Sequence, residues 1–222
     1  MPSYECAYCG KVASATDDHI PPRSIYSKPY PPDRPSVKAC AECNNGASDD
    51  DEYFRDIVLK YEHVSDLPAA REQVAKMIRA IAKPEKKKYA AAVLSSFTEI
   101  ELRSEGGIIL GKAPAYKVDG ARFTRAASRY VRGLYRYQLG KRVPDDMETH
   151  VTANPDGVNT IAKTVVSTFR GAPRRVVQSG VFWYAWLEFQ DVPGAYGWLL
   201  VFFDHFPVLG TIRPKRVGVA AL

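Results

Sequence analysis

The sequence predicts an α+β protein in two parts: a small zinc-stapled module over residues 1–60 and a basic α+β domain over residues 61–222. All four cysteines fall within the first 43 residues, in a segment rich in Cys, Pro, Asn and Gly without a long helical period. The middle of the chain has apolar residues at helical spacing, and the last third has short aromatic and β-branched runs. We therefore expect metal ligands to hold the first part together, and helices packed on a β-hairpin or small sheet to form the second.

Several helices are expected. The first begins at Ser48, where the acids of residues 49–52 favour the positive end of the helix dipole, and it continues to about Tyr61. The second covers residues 68–82 and has a proline in its opening turn. Further helices are predicted up to about residue 97, over residues 121–139 before Gly140, and over residues 159–169.

Strands are predicted in two regions. Residues 98–103 and 108–111 are short candidates. Residues 176–189 and 198–203 are rich in Val, Phe, Trp, Tyr and Leu, and the turn-forming residues 191–194 separate them. The last third is therefore expected to form a β-hairpin within a small sheet covered by helices.

The cysteines form two C-x-x-C pairs, Cys6 with Cys9 and Cys40 with Cys43. Two residues between thiolates let both sulfurs of a tight turn reach one tetrahedral ion, so the pairs predict a structural zinc site. A redox dithiol and two disulfides are the alternatives. Four thiolates leave no open coordination position, so this zinc is expected to fold the module rather than to react.

Charge is unevenly distributed along the chain. The first 55 residues hold six basic and nine acidic side chains, which leaves 25 basic and 16 acidic side chains for the rest of a chain with net charge +6. The acidic first 55 residues are suited to binding a cation, and the basic remainder of the chain is suited to binding a polyanion. No apolar leader precedes Cys6 and no apolar run is long enough to span a bilayer, so a soluble cytoplasmic protein without membrane partners is expected.

Between the cysteine pairs lies the sequence Asp17-Asp18-His19-Ile20-Pro21, and Asn44 directly follows the second pair. The ordered set C-x-x-C, D-H-I-x-P and C-x-x-C-N resembles the zinc-containing, four-cysteine branch of the HNH endonucleases, also called ββα-metal nucleases. The resemblance covers residues 6 to about 54, roughly a quarter of the chain.

The resemblance implies a role for three residues. Asp18 and Asn44 would bind a catalytic Mg²⁺ or Mn²⁺, and His19 would be the general base. It also implies a β-hairpin that carries His19, followed by a helix that starts near Asn44. The chemistry is reasonable because a hard cation with few protein ligands keeps positions for phosphate oxygens, and a neutral imidazole can take a proton from water near pH 7.

The sequence departs from the family pattern at two positions. The family's middle asparagine, which braces the histidine loop, is missing from residues 34–38, where Ser36 is the available substitute. Some relatives have a histidine as third ligand one helical turn after Asn44, and here that position is Ser48.

Five arginines recur at spacings of three and four residues in the long helix predicted over residues 121–139. This spacing aligns them on one helical face, called here the arginine stripe. The stripe either binds nucleic-acid phosphates or is a solvated face paired with neighbouring acids. Its members are Arg122, Arg125, Arg129, Arg132 and Arg136.

The sequence therefore predicts a metal-dependent endonuclease that hydrolyses DNA, with RNA not excluded, and leaves 5′-phosphate and 3′-hydroxyl ends. Phage defence or restriction is an association with such nucleases only. The alternatives are a nuclease effector active only within a larger defence complex, and a non-catalytic zinc module that binds nucleic acid. A homodimer is a further expected assembly.

Overall fold

The computed structural model describes residues 3–104, 106–153 and 167–215, and it is a mixed α/β protein with three antiparallel sheets. The helix predicted over residues 159–169 lies almost entirely outside these described ranges. Within them, no helix combines the length and apolar character needed to cross a membrane.

The N-terminal sheet has three strands, β1 (Ser3–Glu5), β2 (Val12–His19) and β3 (Ser36–Cys40), in the order β1-β2-β3. His19 at the end of β2 pairs with Ser36 at the start of β3. The chain then turns from β3 into two helices, α1 (Ala41–Asn45) and α2 (Ser48–Lys60). The predicted start of a helix at Ser48 is confirmed, and Asp49, Asp50 and Asp51 occupy its first turn.

Three helices follow in the middle of the chain: α3 (Glu62–Ser65), α4 (Pro68–Ile81) and α5 (Lys87–Ser96). Pro68 lies in the first turn of α4, as the sequence predicts. The strands β4 (Phe97–Arg103) and β5 (Ile109–Tyr116) then pair as a separate hairpin. The second strand is longer than predicted, and the hairpin is joined to neither of the other sheets.

The predicted long helix is α6 (Gly120–Leu139). The Asp119 carboxylate caps its start by accepting from the backbone of Ala121 and Arg122. Gly140 ends the helix in the left-handed conformation with φ of 69°. One face of α6 is buried, including Phe123, and this is the amphipathic division that the 3.6-residue period predicts.

The C-terminal sheet has five strands in the order β6-β10-β9-β8-β7. Residues 176–189 were expected to form one strand, and this prediction is wrong. The chain turns at Gly180, where φ is 69°, and the segment is divided between two strands. Two strands of this sheet, β6 at one edge and β10 next to it, were not predicted from the sequence. The strands are β6 (Met147–Ala153), β7 (Arg174–Gln178), β8 (Phe182–Glu188), β9 (Tyr196–Phe202) and β10 (Phe206–Pro214).

One buried cluster joins the two predicted parts of the chain. The ring of Phe54 in α2 lies 4.8 Å from the ring of Phe123 in α6 and 5.1 Å from that of Phe202 in β9. The boundary predicted after residue 60 therefore lies within a continuous hydrophobic core.

Two glycines allow α6 to lie close to both of its neighbours. A side chain at Gly133 would collide with Ile20 and with the Tyr8 hydroxyl of the N-terminal module. A side chain at Gly210 would collide with Val131, so the backbone of β10 lies directly against the helix. Helix α6 is thus packed between the cysteine-containing module and the five-stranded sheet.

Candidate functional site

Two short turns bring the four cysteines together. Cys6 and Cys9 belong to the turn after β1, which is closed by a hydrogen bond from Gly10 N to Cys6 O at 3.1 Å. Cys40 ends β3 and Cys43 lies in α1. A bond from Ala7 N to Lys38 O at 2.9 Å ties the first turn to β3, so the strand pairing itself holds the two pairs against each other.

The sulfur geometry fits a tetrahedral metal ion. All four Sγ atoms lie within 4.8 Å of one another, and Cys9 Sγ is 3.8 Å from Cys40 Sγ. A zinc–sulfur bond of about 2.3 Å places tetrahedral sulfurs about 3.8 Å apart. The same separation excludes a Cys9–Cys40 disulfide, whose sulfurs would be about 2.05 Å apart, and all four cysteines are free thiols here. The cluster could therefore hold a metal ion such as zinc.

The thiols differ in their ease of ionisation. Burial raises the pKa of the Cys6 thiol, but backbone hydrogen bonds at Cys9, Cys40 and Tyr8 outweigh it and bring the pKa to about 6. Burial and hydrogen bonds with the other thiols raise the pKa of Cys43 far above its usual range. Cys6 is thus prepared as a thiolate ligand, whereas Cys43 loses its proton readily only when a cation is near.

The end of β2 presents adjacent side chains to different surroundings. Asp18 is buried and faces α6, whereas His19 is partly exposed and contacts Arg23. This is the ordinary alternation of a strand. Asp17, on the same side of the strand as His19, pairs with Lys38 at 2.8 Å.

Asp18 and Asn44 are brought to the same point. Nη2 of Arg129 lies 2.6 Å from Asp18 Oδ2 and 3.5 Å from Asn44 Oδ1. The Asn44 amide is oriented by its own donation to Thr16 Oγ1 at 2.7 Å. The two oxygens that the resemblance assigns to a divalent ion therefore converge on one position, and a guanidinium nitrogen of the chain lies there.

Further groups enclose this cation position. The Tyr8 hydroxyl donates to Asp18 Oδ2, and Nη1 of Arg129 lies 3.0 Å from Asp51 Oδ2. Tyr130, fully buried, donates to Asp51 Oδ1 at 2.9 Å. Burial raises the pKa of Asp18 and raises that of Asp51 to about 6, although Arg129 opposes both shifts. Nearby acidic groups raise the pKa of Arg129 despite its burial, so its charge is permanent.

The donor set suits a hard divalent cation by its chemistry, since it offers a carboxylate and an amide oxygen. A divalent ion can reach both oxygens only if Nη2 of Arg129 moves away from Asp18. Among the described residues, the four cysteines are the one group of three or more His, Cys, Asp or Glu side chains placed to hold a metal ion.

The surroundings of His19 favour its neutral form. Burial, followed by the charges of Arg23 and Arg34, lowers the pKa of its imidazole. Arg23 Nη2 lies 2.7 Å from His19 Nε2, and because a guanidinium only donates, Nε2 is the acceptor. Nδ1 is buried and has no hydrogen-bond partner among the described residues, so Ser36, although opposite His19 in register, does not brace the ring as a substitute for the family's asparagine.

The arginine stripe faces the N-terminal module and is paired with acids of that module, which is one of the two alternatives that its spacing left open. Arg122 and Arg125 both bind Asp50, with closest distances of 3.0 and 2.7 Å. Arg129 binds Asp18 and Asp51, Arg132 donates to the carbonyl of Tyr8, and Arg136 lies 3.1 Å from Glu5. Opposite charge explains this pairing, because the acidic N-terminal segment is the surface that covers the basic helix. Binding of nucleic acid by the stripe stays a prediction, and Arg125, with 60% of its side chain exposed, is the member most available for it.

Sequence reasoning did not assign Asp51, Tyr8 or the particular position of Arg129 to the site. Asp51 was interpreted only as a helix-start acid, and Arg129 only as one of five equivalent arginines. The available signal was the complementary charge of the two regions, nine acids in residues 1–55 against a stripe without acids.

No protein-family model, curated protein or solved structure matches the chain. The family resemblance therefore depends on the ordered residues between Cys6 and Asn44 and on their arrangement.

Proposed function

We propose that the chain is a metal-dependent endonuclease of the HNH type, with a structural zinc ion at the four cysteines and its chemistry centred on His19. The observation that carries the proposal is the convergence of Asp18 Oδ2 and Asn44 Oδ1 on one cation position, with Asp18 next in sequence to His19, whose lowered pKa favours the neutral imidazole. The motif order and the succession of strand, strand and helix from β2 to α1 support it.

In the proposed reaction, His19 accepts a proton at Nε2 from the attacking water. The new bond joins the water oxygen to phosphorus, the bond from phosphorus to the 3′ oxygen breaks, and solvent protonates the departing oxygen. The products carry 5′-phosphate and 3′-hydroxyl ends. The low pKa of the imidazole keeps Nε2 unprotonated at neutral pH, which a base requires.

Arg23 affects the proposed reaction because its guanidinium donates a hydrogen bond to Nε2 of His19, the atom that must accept the proton. A phosphate is a stronger partner for a guanidinium than a neutral imidazole is. Substrate binding would therefore draw Arg23 onto the phosphate and free Nε2 for the water.

Asp18 and Asn44 would hold Mg²⁺ or Mn²⁺. Such an ion, when bound, supplies positive charge to the phosphate oxygens in the transition state. Binding of the ion requires Arg129 to lose its contact with Asp18. Arg129 can keep its second contact, with Asp51, when this happens. DNA is the proposed substrate.

The position of Arg129 favours a second candidate, a nuclease subunit that is latent until a partner or a larger complex moves this arginine. Purified chain incubated with supercoiled plasmid and Mg²⁺ or Mn²⁺ separates the two. Ion-dependent nicking or linearisation by the isolated chain supports the stand-alone enzyme. Strict dependence on an added partner supports the subunit, and failure in both settings, with zinc bound, leaves a non-catalytic zinc module.

A further inference from the structure

A cavity of about 620 Å³ lies on the side of the molecule formed by α2, α5 and the start of α6. Its lining includes Lys60, Lys117 and Arg122, together with the tyrosines Tyr53 and Tyr89. The lining includes no cysteine, and neither Asp18 nor His19, so the cavity is separate from the site described above. Its volume falls within the range of about 300–1,000 Å³ typical of sites for small molecules.

The cavity has an excess of positive charge. Its single acidic lining residue, Asp119, is engaged in capping α6, where Oδ1 accepts from two backbone N–H groups at 3.1 Å. Arg122 is bound by Asp50 at 3.0 Å and lies 4.4 Å from the ring centre of Tyr53. Arg122 therefore lines the cavity as a side chain that is already paired, and its charge is not available to a ligand.

In the described part of the chain, the two lysines are not paired with a carboxylate, although Lys60 Nζ lies 6.0 Å from the ring centre of Tyr116. Within the described residues, neither Lys60 nor Lys117 takes part in a salt bridge, and Asp56, the carboxylate that acts on Lys60, is bound by Arg55 and by the Tyr89 hydroxyl. Burial lowers the pKa of the half-buried Lys60. An ammonium removed from water without a counter-ion is unfavourable, and an anion in the cavity would relieve that cost.

The remaining walls are apolar and aromatic. Ile57 and Val93 belong to α2 and α5, and Tyr53 and Tyr89 stand on the same two helices. Both tyrosine hydroxyls already have partners, at Asp119 N and at the Asp56 carboxylate. Arg122 lies over one face of Tyr53, and Lys86 Nζ lies 5.7 Å from the ring centre of Tyr89. The uncovered ring surfaces that line the cavity are therefore the parts of these side chains left for a ligand, and they suit a flat aromatic group.

We propose that this cavity binds a small molecule that combines a phosphate with a flat ring and has the size of a mononucleotide. Lys60 and Lys117 would contact the phosphate, and Tyr53 and Tyr89 would contact the ring. The proposal does not depend on the nuclease activity, because it concerns other residues and a different surface.

Isothermal titration calorimetry of the full chain with adenosine monophosphate, with inorganic phosphate and with adenosine tests this site. We expect saturable binding of one adenosine monophosphate per chain and competition by inorganic phosphate. Adenosine, which lacks the charge, should bind at least about tenfold more weakly, since it cannot form charge-assisted hydrogen bonds with the two lysines.

The variants Lys60→Gln and Lys117→Gln should each weaken binding of adenosine monophosphate at least about tenfold. Lys76→Gln is the matched control, because Lys76 pairs with Glu72 on α4 and does not line the cavity. Lys117 is exposed, so its variant keeps the test valid even if Lys60→Gln fails to fold. Absence of saturable binding, equal affinity for adenosine, or parental affinity in the folded Lys117→Gln variant would overturn the proposal.

Discussion

Nη2 of Arg129 lies 2.6 Å from Oδ2 of Asp18, and only 11% and 6% of the two side chains are exposed. The pair joins α6 to the strand that carries His19, so one contact links the packing of the protein to its candidate active site. The same guanidinium also reaches Asp51. Removing its charge would leave two buried carboxylates with only the hydroxyls of Tyr8 and Tyr130 as partners among the described residues and without this cation.

Arg129→Gln should therefore destabilise the fold strongly. Loss of one partner of a buried ion pair costs about 3–5 kcal/mol. The matched control is Arg125→Gln on the same helix, where 60% of the side chain is exposed and a change below about 1 kcal/mol is expected. Denaturant unfolding measures both, and equal losses would contradict the proposed importance of the Arg129–Asp18 contact.

The same variant tests competition for the cation position. If Arg129 and a divalent ion compete for Asp18, Arg129→Gln should bind Mn²⁺ at least about tenfold more tightly than the parent, because a charge-assisted hydrogen bond no longer has to be broken. Mn²⁺ should also raise its melting temperature more than that of the parent. Electron paramagnetic resonance measures the concentration of unbound Mn²⁺. Asp18→Asn is the control and is expected to lose Mn²⁺ binding. An Mn²⁺ affinity unchanged by Arg129→Gln would show that the ion binds elsewhere.

The pH dependence of the unfolding free energy should contain a contribution from Asp51. Its folded pKa of about 6 lies above the ordinary 3.8, so the fold favours the protonated form. The resulting contribution to stability is complete below about pH 4 and is lost as the pH rises through about 6, a change on the order of 3 kcal/mol. Asp51→Asn should reduce this pH dependence of the unfolding free energy. It should not abolish it, because burial raises the pKa of Asp18 in the same direction. An identical profile in the variant would mean that Asp51 does not titrate in this range.

The cysteine cluster predicts a folding dependence on zinc. Cys40→Ser should lower the zinc content below one ion per chain and unfold the N-terminal module, because metal-binding energy is folding energy in such modules. Ala41→Ser, at the neighbouring exposed position, should retain both zinc and fold. Elemental analysis with circular dichroism measures this, and purified parental protein without zinc would refute a zinc site.

Contacts with DNA should arise more from Arg23 than from the arginine stripe. Arg23→Gln should flatten the dependence of log K on log salt by about one, since one fewer counter-ion is released. Arg125→Gln should change it less, because Asp50 already neutralises this side chain at 2.7 Å. Fluorescence anisotropy at several salt concentrations compares them, and a larger effect of Arg125→Gln would return the stripe to the binding surface.

Helix α6 illustrates what sequence periodicity predicts about the fold. The spacing of its apolar residues and Gly140 predicted the helix and its two faces. It could not predict what covers the arginine face, because periodicity assigns a side and carries no information about the neighbour. That neighbour is distant in sequence, with Arg129 and Asp18 separated by 111 residues.

Strand β10, which the sequence did not predict, has a local composition unfavourable to a strand. Strand β10 contains Pro207, Gly210 and Pro214, and both residue types are depleted in strands. Gly210 is required there by the approach of Val131, which is a tertiary constraint. In the candidate site, the cysteine pairs were recognisable because their spacing is local, whereas Asp51 joined the site only through the packing of α2 against α6.

The most direct test of the central claim is the rate at which His19→Ala cleaves supercoiled plasmid with Mg²⁺ or Mn²⁺. Loss of a general base should reduce turnover at least about a hundredfold, while zinc content and DNA binding remain at the parental level. His63→Ala is a matched control, because His63 lies on α3 against Tyr61. Cleavage by His19→Ala at the parental rate would contradict the assignment of His19 as the base and the position of the active site.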